Sequence, residues 1–279
     1  MLIRYFIILS VIRILFKLIS IIPWPILRFV SWVLGHIAIL LNVNAYKVTK
    51  KNLIHCGFND KRLIKQSFLN TMELLFEYPY IWGNPNHYKR LVENPENIVQ
   101  DEHPKIFMTM HMGCVDVMLF LISEKNKDIN ILYTPAKNKD IEKVTKEIRS
   151  TKGAKLISAN MSGIKLLLSK FNQKEDFVIA PDLVPHTNKE TYSYFFNKEC
   201  LTVDIVERLS QRESHNLYFI YFTHGKHKKY KLNCEKIPKK INMLEMNKLF
   251  ERAIKESISL YGWEYKKFRK LKGEKKNIY

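Results

Sequence analysis

His111 and Asp116 are the residues on which a reaction could be built, an H-x-x-x-x-D pair inside the stretch 105–122, KIFMTMHMGCVDVMLFLI. A neutral imidazole can take the proton from a hydroxyl as that hydroxyl attacks an ester or thioester. A carboxylate on the other ring nitrogen fixes the tautomer and stabilises the imidazolium that forms. No metal is required. The same spacing also suits a core histidine that only hydrogen-bonds a helix carboxylate.

The pair constrains the backbone. Five residues along one helix correspond to about 140° of rotation, so the two side chains would not share a face. They meet only if the chain changes form between them, and Gly113 can supply that change. The expected arrangement is a buried strand over 106–110, His111 at its C-terminal end, a tight turn at Gly113, and an apolar helix from Cys114 with Asp116 in its first turn. Strand ends of this kind are where open α/β sheets hold ligands. A second strand, 177–180 (FVIA), runs into Pro181-Asp182. Asp182 therefore opens on the same edge as His111, unless it caps a helix or turn.

The surrounding chain alternates. A strand over 129–133 precedes a polar helix over 139–149, then Gly153, a strand from 154 to 157 and an amphipathic helix over 162–171. A polar loop over 183–199 and a helix over 201–211 follow. A strong strand over 217–222 comes next, with another over 229–234 beside it. An amphipathic helix covers 246–261. Strand–helix alternation predicts an α/β fold, a mixed β-sheet flanked by helices, with an N-terminal membrane helix. Glu73, among the apolar positions of a helical stretch over 45–82, is a solvated or a paired carboxylate, and solvation is the expected state. The run 224–231 (HGKHKKYK) reads as a solvated basic turn with no metal ligands. The basic, aromatic stretch 265–276 suits a membrane surface or a solvated tail.

Residues 1–41 are very apolar, and no acid precedes Asp60. They are expected to be N-terminal membrane-anchoring helices, with 42–279 the catalytic domain. Pro23-Trp24-Pro25 divides them into two helices. The first is long enough to reach across a bilayer core of about 30 Å. Arg13 and Lys17 fall inside it, so it either spans with those cations near one interface or lies in the interface plane. Lys47, Lys50 and Lys51 put the main body on the cytoplasmic side.

With 46 basic and 27 acidic residues, the net charge of +19 implies acidic partners. The four cysteines, Cys56, Cys114, Cys200 and Cys234, form no C-x-x-C pair and read as free thiols. There is no P-loop, dinucleotide glycine fingerprint or G-x-S-x-G elbow, which removes the commonest ATP, NAD and serine-hydrolase readings. The apolar N-terminus and the lack of any binding motif argue against nucleic acid.

Taken together, these features resemble the lipid A late acyltransferases of Gram-negative bacteria, within the wider H-x-x-x-x-D/E lysophospholipid acyltransferase superfamily. The likeness runs nearly end to end. It rests on Lys51-Asn52-Leu53 with Cys56 and Phe58, His111 with Asp116, and Arg149 with Gly153. It continues through Pro181-Asp182, Phe195-Phe196, Thr202, Trp263 and Lys266-Lys267-Phe268-Arg269. The family's P-D-Q reads Pro181-Asp182-Leu183 here, and its F-F-G reads Phe195-Phe196-Asn197. The resemblance implies an O-acyltransferase of the cell inner membrane, with its catalytic domain on the cytoplasmic side. It would move an acyl chain from acyl carrier protein to a hydroxyl of a lipid A precursor. No cofactor is implied beyond the carrier thioester as co-substrate, and no metal. The acidic partners would be the carrier, the lipid A precursor and anionic inner-membrane lipid. His111 would be the base and Asp116 its orienting carboxylate, with Arg149, Asp182, Gly113 and Thr202 binding substrate. Donors for the oxyanion would be backbone N–H groups of the Gly113 turn and Arg149, unless Arg149 holds a phosphate. Two further readings are a different lysolipid or glycolipid acceptor, and a non-catalytic basic membrane-binding protein.

Overall fold

The computed structural model describes residues 2–184, 191–270 and 278–279, with the backbone alone for 2–9. The elements in order are α1 (Leu2–Ile21), α2 (Trp24–Leu40), α3 (Asn44–His55), α4 (Lys61–Gly83), α5 (Tyr88–Leu91), β1 (Val92–Glu93), β2 (Lys105–Met108), α6 (Val115–Lys125), β3 (Asn130–Tyr133), α7 (Lys139–Arg149), β4 (Lys155–Ser158), α8 (Met161–Asn172), β5 (Phe177–Ile179), β6 (Tyr192–Phe195), β7 (Lys198–Leu201), α9 (Ile205–Ser210), β8 (Asn216–His224), β9 (Tyr230–Ile237) and α10 (Met243–Glu256).

The described residues form a seven-stranded sheet in the order β1-β9-β8-β2-β5-β3-β4. Its pairs are parallel except β8 with β9. The mixed α/β sheet flanked by helices is thus as the sequence predicts. The central strands read as continuous apolar runs because helices cover both faces. All four residues of β2 are buried, as are all of β8 but His224.

The boundaries of three expected elements differ. The stretch expected to be a loop ends in β6, which makes an antiparallel hairpin with β7. The helix expected over 201–211 is only α9, because Lys198–Leu201 is spent on that hairpin. The amphipathic helix expected to reach 261 stops with α10 at Glu256, and a short 3₁₀ turn, Ile258–Leu260, carries the chain back toward the sheet.

Helices α1 and α2 lie against α4. Among the described residues no single helix is long and apolar enough to cross a membrane; Ser10–Ile21 with Trp24–Leu40 passes only as a pair, bent by 107°. Two cations in the pair are neutralised by the rest of the chain: Arg13 pairs with Glu147 of α7, and Arg28 reaches Glu73 of α4 at 3.5 Å. Glu73 is therefore buried and paired, not solvated. Ile14, Leu18, Ile21, Phe29, Leu40 and Leu41 remain exposed.

Candidate active site

Strands β2 and β5 are parallel neighbours, with Met108 aligned to Ile179. His111 and Asp182 each follow three residues later, so both emerge at the same end of the sheet. Nδ1 of His111 donates to Asp182 Oδ1 at 2.8 Å, and the His111 backbone N–H donates to Oδ2 at 3.0 Å. Asp182 is fully buried, and the His111 side chain is 23% exposed. With Nδ1 committed to a carboxylate, Nε2 is left as the proton acceptor. Among the described residues it has no hydrogen-bond partner.

This corrects the expected pairing. The carboxylate on His111 is Asp182, not Asp116. Asp116 sits in the first turn of α6, as expected, but accepts from Arg149 instead: Nε and a terminal guanidinium nitrogen both reach Oδ1 at 2.8 Å. Trp82 Nε1 donates to its Oδ2 at 2.6 Å. Asp116 is wholly buried, so the arginine compensates a charge that would otherwise be costly there. Its role in the geometry is to fix Arg149. The guanidinium lies close enough to His111 for its charge to oppose protonation of the ring.

The two titrating groups are shifted in opposite directions. Burial alone would lower the pKa of His111, but the adjacent Asp182 more than offsets it and holds the imidazole above its ordinary value. Burial would raise Asp182, and the charge and hydrogen bonds of His111 instead hold it below the usual carboxylate range.

Gly113 has φ +69°, and a Cβ there would lie 2.5 Å from the Tyr230 ring. Both facts require glycine. The turn amides are all engaged internally. His111 N–H serves Asp182, Met112 N–H reaches Met110 O at 2.9 Å, and Gly113 N–H reaches Leu260 O at 2.8 Å. Cys114 N–H reaches the Tyr230 hydroxyl at 3.1 Å. These amides are thus not free for an oxyanion. The Tyr230 hydroxyl donates in turn to Glu77, which together with Glu73 surrounds the Lys229 ammonium. The expected solvated turn at 224–231 therefore sends one lysine into the core.

Thr202 is expected from the resemblance to bind substrate. It is fully buried, and its hydroxyl donates to Cys200 O at 3.2 Å and accepts from Asn247 at 3.4 Å, tying β7 to α10. Among the described residues its hydroxyl makes no hydrogen bond to His111, Asp182 or Arg149. The basic stretch from 265 is not a surface tail throughout. Lys267 is buried, with Nζ donating to Asp182 O at 2.6 Å, and the Tyr265 ring stands edge-on to His111 at 5.3 Å. The part of that stretch beyond 270 lies outside the described residues. Trp82, Tyr230 and Tyr265 carry no sequence signal of their own, since each reaches the site from a distant element, whereas Lys267 belongs to the Lys266-Lys267-Phe268-Arg269 segment that carries the resemblance.

The profile of the bacterial lipid A biosynthesis acyltransferases matches residues 1–270. The chain belongs to that family. As a lipid A biosynthesis acyltransferase it is an enzyme that transfers acyl groups, and its substrate is of the lipid A type. No curated protein matches it. In this acyltransferase the residues that carried the resemblance, His111, Arg149 and Asp182, converge in one place.

Proposed function

We propose that this acyltransferase moves a fatty acyl chain from acyl carrier protein to a hydroxyl of a lipid A precursor, with His111 as general base. The observation that carries the reading is His111 itself, held by a buried carboxylate on Nδ1 and unpartnered on Nε2. Nε2 takes the hydroxyl proton as the oxygen attacks the thioester carbonyl carbon. The carbonyl electron pair moves to its oxygen, and Asp182 stabilises the imidazolium. Collapse of the tetrahedral intermediate breaks the C–S bond. The imidazolium returns its proton to the sulfur, leaving an ester and the free carrier thiol. Neither a covalent acyl-enzyme nor a metal takes part.

Arg149 is the donor to the oxyanion in this scheme. It is a fixed cation beside the base, and the turn amides have other partners. Donors of this kind contribute about 3–4 kcal/mol each. Asp116 and Trp82 are positioning residues that act through it. The bent pair α1–α2 lies in the plane of the inner-membrane interface on its exposed apolar face, with the catalytic domain on the cytoplasmic side. The basic surplus attracts the acidic carrier and anionic lipid.

The test is transfer of labelled acyl groups from acyl carrier proteins of several chain lengths, offered to a lipid A precursor and to lysophosphatidate. Labelled lipid A product that disappears in His111→Ala supports the reading. Label on lysophosphatidate alone moves the acceptor to glycerolipids. Transfer that survives in His111→Ala overturns the role of the base.

A further inference from the structure

The bend between α1 and α2 encloses a second site. Gly83, the last residue of α4, presses so closely on α1 that a Cβ would lie 2.0 Å from Phe16 O. Just beyond that contact the two backbones part, leaving a cleft of about 460 Å³. One wall is Lys17, Ser20 and Ile21 through Pro23; the other is Tyr80, Asn84, His87 and Arg90.

Its chemistry is one-sided. No acidic residue lines it. Lys17 and Arg90 have no ion pair among the described residues, whereas Arg13, on the same helix as Lys17, and Arg28 of α2 each have one. Between the cations His87 is 8% exposed. Asn84 Nδ2 donates to His87 Nε2 at 3.1 Å, so the ring proton belongs on Nδ1. Nδ1 is buried without a hydrogen bond of regular geometry, and burial with the neighbouring Arg90 charge lowers the pKa of the ring despite the nearby Tyr80 carbonyl. A buried donor without a good acceptor is costly, and such groups mark ligand sites. Two free cations and a buried N–H are suited to tetrahedral oxyanion recognition.

The rim identifies the carrier of that anion. Ile21 and Ile22 line the cleft, and Leu18 and Ile26 beside it are exposed. A free phosphate gains nothing from these side chains, whereas acyl chains would cover them. We propose that the cleft of Lys17, His87 and Arg90 binds the phosphate of a membrane phospholipid, whose tails lie along the exposed face of α1 and α2. The site is separate from His111 and stands whether or not the chain transfers an acyl group from a carrier protein.

The experiment compares Lys17→Ala/Arg90→Ala with Lys226→Ala/Lys239→Ala, which removes the same charge from exposed positions elsewhere. Binding of the full chain is measured to vesicles of phosphatidylcholine alone and with one third phosphatidylglycerol, at fixed salt. The KM for a phosphate-bearing lipid A precursor is measured in neutral detergent. Circular dichroism confirms that each variant folds. We expect the cleft variant to lose roughly tenfold or more of the preference for anionic vesicles, the control variant to keep most of it, and KM to stay unchanged. His87→Gln, which retains the charge balance, should lose part of the preference. A raised KM with unaltered vesicle binding would keep the phosphate site but assign it to the acceptor's own phosphate, overturning the phospholipid. Equal losses in both double variants with no change in KM would overturn the site altogether.

Discussion

His111 and Asp182 stand at equivalent positions on neighbouring strands, each three residues past a pair, Met108 and Ile179, that the sheet holds in register. Parallel pairing therefore fixes the separation of base and carboxylate. No loop has to find it.

Asp182→Asn should lower kcat by about 10³–10⁴-fold, because an amide cannot stabilise the imidazolium and favours the wrong tautomer. The fold should persist, since Asn keeps the shape and an acceptor for the His111 N–H. Steady-state kinetics beside a thermal melt separates these outcomes, and near-normal kcat would remove Asp182 from the mechanism.

Asp116→Asn should behave differently. It strands the Arg149 guanidinium beside a neutral group, and breaking a buried pair costs about 3–5 kcal/mol. We expect a clear drop in unfolding midpoint as well as in kcat. Loss of activity with unchanged stability would mean that Asp116 does more than hold Arg149.

The pH profile follows from the shifted pair. His111 has its pKa raised by Asp182, so the neutral base is depleted until pH rises past that value. The acid limb of kcat/KM should lie above the ordinary imidazole value of about 6.5. In Asp182→Asn the lowering effect of burial loses its main opponent and is countered chiefly by the smaller effect of Glu264, so the limb should move to lower pH. For stability the signs are opposite within the pair. The contribution of His111 is complete below its unfolded pKa and is lost as pH rises through the folded one. That of Asp182 is present above its unfolded pKa and is lost as pH falls through its lowered folded one. Titration of His111 by NMR in both proteins checks the shift.

Gly113→Ala should destabilise the chain by about 1–3 kcal/mol from the positive φ alone, and by more if the Tyr230 ring cannot move. Gly57, also at positive φ but with open space around it, gives the comparison. Equal losses at the two positions, measured by urea unfolding, would show that contact with Tyr230 is immaterial.

The sequence made the strand ends legible, because β2 and β5 are short apolar runs that stop at a chemically active residue. It also made Gly113 legible. It could not show which carboxylate meets His111, since H-x-x-x-x-D spacing reports proximity along the chain and the decisive pairing crosses from β2 to β5. Glu73 and Lys229 were misread for a related reason. Each looks like a surface charge alone, and only the packing of α4 against the turn before β9 makes them partners. The end of α10 was missed because the apolar spacing continues through Ile258 and Tyr261, although those residues pack from a 3₁₀ turn.

The His111 turn is closed from the far end of the chain. Leu260 accepts from Gly113, Gly262 donates to His111 O, and Lys267 anchors Asp182 O. During synthesis α1 and α2 leave the ribosome long before these residues exist. If α1 and α2 sit on the bilayer as proposed above, the polypeptide would settle there while the His111 turn is still open, and the turn closes only with the last stretch translated. On that placement, a ribosome stalled short of residue 260 would hold a protein at its surface with the His111 turn still unclosed.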